Sequence, residues 1–401
     1  GSRWSALIAA FLMFTSVHME FVHGSAWSDP LFLVLVLASL ALTVRYVVHG
    51  RKAALVGAAA AVACAILTRY AGLTLVPIIG LALVWWRKPR DLPIFLAIAC
   101  VPLGIWVVHN GAIGGALVGD RGIAWHTLSA QQLGQALFTA TDWVLPTRIG
   151  TQLVSADGQV YVGGAAAFLL LACALGWWAW RRRQWLASRE VVSEADVLTR
   201  VLLAFAVLYV AGVVLTMALF DDLVQLDTRI LAPVYVCLVI LVSAAAPRAL
   251  ERVWRVGWAR APVTVAVAVI ATTFAVRFAS LAVGAHAAGV IYSNTDWLGS
   301  ETMVRVRALP VDATIFSNAP DAVYMLAGRS AYEIPNAGHA DTFAGVLRQA
   351  AQAAGGPVVL VYFGDPNIAY RQPVPVEEIQ NWLPTRALDH LADGAVYEVT
   401  P

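Results

Sequence analysis

The chain has 401 residues, of which 60% are hydrophobic and 13% charged, with a mean hydropathy of +0.71. Soluble domains average about 45–50% apolar and about 25% charged residues, so this composition excludes a soluble enzyme, a disordered chain and a disulfide scaffold. The net charge of +2 hides an asymmetry: residues 1–285 hold 21 Lys and Arg against 13 Asp and Glu (+8), and residues 286–401 hold 6 against 12 (−6).

The expected class is a polytopic α-helical membrane protein of about nine transmembrane helices. A small C-terminal extracytoplasmic α/β domain follows. Apolar runs near 20 residues predict spans at 4–22, 28–48, 53–68, 70–86, 92–109, 161–180, 199–220, 228–246 and 262–283. The spans at 53–68 and 70–86 meet at Thr68-Arg69-Tyr70. That junction is too tight for an aqueous loop, so it predicts a pair of broken helices facing a protein-lined cavity. A long external loop at 110–160 carries Trp125, His126 and Trp143, which predicts short interfacial helices. Cys64, Cys100, Cys173 and Cys237 each lie in an apolar run, where Cys is a small core residue.

Lys/Arg bias predicts a cytoplasmic N-terminus. Most basic residues then fall inside, with anchors at Arg87–Arg90, Arg181–Arg183 and Arg248–Arg260. Their main role is orientation, and contact with anionic lipid is the lesser one. Eight of the 13 acids in residues 1–285 fall outside: Glu20, Asp29, Asp120, Asp142, Asp157, Asp221, Asp222 and Asp227. Acids do not follow the positive-inside rule, so this skew predicts a polar site on the external face.

From residue 286 the pattern alternates strands and helices. Strands are expected at 313–316, 331–334, 357–363 and 394–400, with helices at 341–354 and 375–383. Another helix opens at Asn318, the expected N-cap. The unbroken apolar run Pro357–Phe363 predicts a parallel strand covered on both faces.

Three clusters carry candidate chemistry. The first runs from His18 through Glu20 and His23 to Asp29-Pro30. Asp29 suits a helix N-cap with Pro in the first turn. His18, Glu20 and His23 also have the side chains to hold a divalent cation, although the spacing is of low specificity. The second is Arg69-Tyr70 at the helix break. An arginine in apolar surroundings pairs with something: an anionic ligand matching its fork, or a buried acid. The third is Asp221-Asp222 with Asp227-Thr228-Arg229. Asp227 and Arg229 either pair across the turn, or Asp227 aims Arg229 at a phosphate. No nucleic-acid partner is expected, because no basic face accompanies a soluble fold.

The order Ser28-Asp-Pro-Leu-Phe32, Leu67-Thr-Arg-Tyr-Ala-Gly72, Asp227-Thr-Arg-Ile-Leu-Ala-Pro233, Tyr292-Ser-Asn-Thr-Asp-Trp297 and Ser317-Asn-Ala-Pro-Asp-Ala-Val-Tyr324 resembles bacterial membrane glycosyltransferases of the GT-C superfamily. These are relatives of the protein O-mannosyltransferases and the aminoarabinose and arabinofuranosyl transferases. The resemblance runs nearly end to end and rests on the order of short motifs. It implies a polyprenyl-phosphate-linked sugar donor and an inverting transfer at the outer face of the bacterial inner membrane. The acceptor would be a glycan, lipid or protein, in contact with membrane lipids. It further implies Arg69, Tyr70 and Arg229 at the donor phosphate. Asp29 and Glu20 would be helpers, and His18, His23, Asp221, Asp222 and Asp227 would line the site. Family members carry their catalytic acid on a first external loop. The first span here corresponds to their third, so the general base is expected upstream of Gly1. The rival expectations are a transporter or flippase of lipid-linked saccharide and a non-catalytic assembly subunit.

Overall fold

The computed structural model describes residues 3–24, 28–113, 129–144, 193–220, 226–335, 340–353, 355–364 and 373–400, together with 125 and 127. The chain divides into two compact units, Gly1–Leu281 and Ala282–Pro401.

The first unit is helical. Its elements are α1 (Arg3–Phe14), α2 (Val17–Gly24), α3 (Asp29–His49), α4 (Lys52–Thr68), α5 (Leu75–Trp85), α6 (Leu92–Ala112), α7 (Ala130–Val144), α8 (Glu194–Phe220) and α9 (Thr228–Trp254). A further helix, α10, spans Arg260–Ala288. Among the described residues five helices are long and apolar enough to cross a membrane: Asp29–His49, Pro89–Ala112, Glu194–Leu219, Thr228–Trp254 and Arg260–Ala288. They match the spans predicted at 28–48, 92–109, 199–220, 228–246 and 262–283. The span predicted at 161–180 lies outside the described residues. The helix predicted inside the 110–160 loop is α7, and its Thr139 hydroxyl donates to the Leu226 carbonyl at 3.2 Å.

The span predicted at 4–22 needs correction. It breaks into α1 and α2 at Thr15-Ser16. Both residues are buried, and their hydroxyls compete for the backbone. Thr15 Oγ1 donates to the Phe11 carbonyl at 2.8 Å, and Ser16 Oγ accepts from the Met19 N–H at 3.4 Å.

The break between α4 and α5 is present. Ala-rich α4 has high helix propensity and offers a flat seam of Ala58, Ala59, Val62 and Ala65, all buried, that packs on α3 and α6. It stops at Arg69, whose backbone is extended. A 3₁₀ turn, Tyr70–Thr74, then leads into α5. Pro77 explains why one helix does not run through. In the first turn of α5 its missing N–H costs nothing, whereas inside a continuous helix its ring would meet the Leu73 carbonyl. The turn folds back on α4 through Gly72. A Cβ there would lie 2.7–2.8 Å from the backbone of Ala65 and Ile66. Backbone cannot swing aside, so Gly72→Val should cost about 3 kcal/mol by overpacking. Chemical denaturation in detergent reads this, and an unchanged midpoint would contradict the close seat.

The second unit continues with α11 (Thr295–Leu298), α12 (Glu301–Arg307), β1 (Thr314–Ser317), α13 (Pro320–Ala327), β2 (Ala331–Glu333), α14 (Ala340–Ala353), β3 (Val358–Phe363), α15 (Val376–Gln380), β4 (Thr385–Leu391) and β5 (Gly394–Val399). The sheet order is β2-β1-β3-β5-β4. β1 pairs parallel with β2 and β3, while β5 runs antiparallel to β3 and β4. The sheet is therefore mixed, and β3 is a parallel neighbour on one side only. Both faces of β3 are covered, as its apolar run predicts. Val359, Val361 and Phe363 pack with Met303, Val306 and Val323, while Val358 and Leu360 pack with Phe343, Leu347 and Ile379.

Asn318 does not cap α13, where Ala319 holds the N-cap position. Its amide instead bridges strands: Nδ2 donates to the Phe363 carbonyl and Oδ1 accepts from the Phe363 N–H, both at 2.9 Å. Strand β4 carries no prediction, and the helix predicted at 375–383 ends at Gln380.

Asp393, in the β4–β5 turn, ties that turn to α12. It accepts from Ser300 Oγ, from the Thr302 N–H at 3.1 Å and from Thr302 Oγ1 at 2.8 Å. Burial pushes its carboxyl up, but these bonds outweigh burial and hold it below the usual carboxylate range. A depressed folded value stabilises the fold above the ordinary carboxylate range, and that increment is lost as pH falls through the depressed value. Asp393→Asn should therefore lower protection of the Val396–Val399 amides near neutrality, by about 1–2 kcal/mol in hydrogen exchange. The difference from wild type should shrink under acid. Equal protection at pH 7 would remove this role.

Candidate functional site

The site residues gather around the starts of α2, α3 and α9, the α4–α5 break and the middle of α8. Asp29 is the first residue of α3. Ser28 holds the N-cap position without a side-chain bond, and Pro30 sits in the first turn. The expected N-cap role of Asp29 is thus corrected. Its carboxylate bonds Arg69 Nη1 in an ion pair across 40 residues of sequence. The Asp29 side chain is 5% exposed and that of Arg69 20%. The pairing follows from cost. A charged group in these surroundings is strongly disfavoured alone, and the extended backbone at Arg69 frees its side chain to reach the helix α3 terminus.

Tyr70, the next residue, is exposed, and its hydroxyl accepts from Trp106 Nε1 at 3.4 Å. Tyr209 on α8 connects this pair to α9. It is 2% exposed, its hydroxyl donates to the Ile230 carbonyl at 3.0 Å, and the charges of Arg69, Asp29 and Asp227 all act on it.

At the start of α9, Asp227 is the N-cap, accepting from the Ile230 N–H at 2.9 Å. Its carboxylate therefore serves the helix end, where a negative charge is favourable. Thr228 Oγ1 lies 3.2 Å from His18 Nδ1. His18 also packs edge-on against Tyr235, with ring centroids 6.0 Å apart, and Trp143 of α7 lies 5.2 Å from the same ring. Arg229 is partly buried, with its Nε inside the protein.

Against these geometries, neither protein-family models, nor curated proteins, nor solved structures match this chain.

His18, Glu20 and His23 do not form a cation site. Among the described residues no three His, Cys, Asp or Glu side chains converge on one point. The reason is helical geometry. Glu20 and His23, three residues apart, share one side of α2, whereas His18 lies on the other, buried against α9, so the three cannot converge. Glu20 has one carboxylate oxygen buried without a hydrogen-bond partner. Asp221 and Asp222 lie outside the described residues.

The arrangement thus brings together Asp29, Arg69, Tyr70, Asp227 and His18. It adds Tyr209, Tyr235 and Trp143, which carry no distinguishing sequence signal. Each is an aromatic residue in an apolar helix, where a core role is the ordinary expectation.

Proposed function

We propose that this chain is a membrane glycosyltransferase that uses a polyprenyl-phosphate sugar on the extracytoplasmic face and inverts the anomeric centre. The observation that carries this proposal is the Asp29–Arg69 pair. A guanidinium stands at a helix break, aimed by a buried carboxylate, beside an exposed tyrosine. Apolar helices surround it, long enough to sit in a bilayer beside a prenyl chain.

The chemistry assigns each group a task. An acceptor hydroxyl oxygen attacks the anomeric carbon, the bond from that carbon to the lipid-phosphate oxygen breaks, and the hydroxyl proton passes to a carboxylate. The departing phosphate gains negative charge. Arg69 meets that charge with a planar donor fork, and Tyr70 adds a hydroxyl. Asp29 is a positioning residue, acting through Arg69. Arg229 is the second cation proposed for the phosphate, and Glu20 the second helper carboxylate.

The test is incorporation of label from a radiolabelled polyprenyl-phosphate sugar into membranes holding the full chain. Covalently attached label, absent from membranes without the protein, supports transfer. Label recovered only as intact donor on the opposite side of sealed vesicles would instead favour a flippase.

A further inference from the structure

At the other end of α3 and α4 the chain builds a second charged structure. Tyr46, 1% exposed, is its centre. The Tyr46 hydroxyl donates to the Asp91 carboxylate, which also pairs with Lys52. Lys88 Nζ donates to the Tyr46 carbonyl at 3.3 Å and lies 4.5 Å from the centre of its ring, with Lys52 Nζ at 5.9 Å. Two ammonium groups are thus held on one buried tyrosine. His49 of α3 and Glu194 of α8 bond at 2.7 Å, tying a further helix to this end.

Next in the chain to Lys52, Lys88 and Asp91 are Arg51, Arg87 and Arg90, all exposed and forming no ion pair among the described residues. The acid of these loops, Asp91, is already engaged by Tyr46 and Lys52. Arg87 adds an independent sign. Its φ is +59°, and no other described non-glycine residue has a positive φ. Glycine adopts that conformation freely, as Gly50 does nearby at +69°, while a residue with a Cβ is strained. A guanidinium is thus held where glycine would be the unstrained choice. Trp85 and Trp86, which precede it, are residues suited to the headgroup level of a bilayer.

We infer that this end binds the headgroup phosphate of an anionic phospholipid, held by Arg51, Arg87 and Arg90 above the Lys52–Tyr46–Lys88 platform. Charge complementarity and place argue for it. The cations lie at the ends of apolar helices, and an arginine fork matches phosphate oxygens. Basic residues that only orient a helix need no such scaffold. The inference does not depend on sugar transfer.

The full chain, delipidated in neutral detergent, is titrated with phosphatidylglycerol, phosphatidylcholine or inorganic phosphate while its melting temperature is followed. Phosphatidylglycerol should raise it saturably, and the other two should not. Arg51→Gln/Arg87→Gln/Arg90→Gln should weaken the phosphatidylglycerol response about tenfold or more. Arg87→Gly, a single change that relieves the backbone, should melt higher without lipid yet bind about threefold more weakly. An equal response to phosphatidylcholine or to phosphate would overturn the inference. So would wild-type affinity in the triple variant or in Arg87→Gly.

Discussion

Membranes carrying Arg69→Ala should transfer sugar at least about 100-fold more slowly than wild type, because one positioned donor to a developing oxyanion is worth about 10²–10³ in rate. Lysine keeps the charge but loses the planar fork, so Arg69→Lys should retain more activity, with about a tenfold loss. Tyr70→Phe, which removes only the hydroxyl of the residue that follows Arg69, should fall between wild type and Arg69→Lys. The three variants are compared at equal membrane abundance, and the rate is measured at saturating donor. An effect confined to the donor concentration required would mean that Arg69 binds the donor equally in ground and transition states. Unchanged transfer in Arg69→Ala would remove the phosphate role altogether.

Asp29→Ala should destabilise the first unit by about 3 kcal/mol, because it leaves the Arg69 guanidinium without its buried partner. The lower end of the usual range applies because the Arg69 side chain keeps 20% of its exposure. Asp29→Leu/Arg69→Met should recover most of that loss, since an ion pair replaced by apolar groups of similar size is often neutral in stability. A double-mutant cycle built from Asp29→Leu, Arg69→Met and the two together, read by denaturation in detergent, should then return a coupling of at least about 2 kcal/mol. Transfer activity should not recover in the double variant. Stability and activity therefore separate the structural and chemical parts of one pair. A coupling near zero would mean that Asp29 does not hold Arg69.

Much of this was legible in one dimension because its causes are local. The break at Arg69 follows from two short apolar runs that meet at Thr68-Arg69-Tyr70 with no room for a loop. The double burial of β3 follows from six consecutive apolar or aromatic residues. The features that were not legible depend on distant partners. Asn318 looks like a helix cap until Phe363, 45 residues on, supplies both a carbonyl and an N–H. Asp29 also looks like a cap, and only the fold brings Arg69 to it. Strand β4 reads Thr-Arg-Ala-Leu-Asp-His-Leu, and its polar residues suit an edge that faces water rather than announcing a strand. Tyr209 is silent for the opposite reason. It lies in an unbroken apolar helix, and its hydroxyl matters only because the Ile230 carbonyl stands 3.0 Å away. The failure at Thr15-Ser16 is different again. There the signal was local, but hydropathy averages over it.

The place of β5 in the sheet has a consequence for the order of assembly. β5 lies between β3 and β4, yet follows both in the chain. Until residues 394–399 are in place, the parallel trio β2-β1-β3 presents the bare edge of its most apolar strand, and β4 has no neighbour. An open edge of that kind is a template for pairing with other chains. During synthesis the second unit is therefore a sheet waiting for its keystone. The interval before β5 arrives is when that edge is open to pairing with another chain.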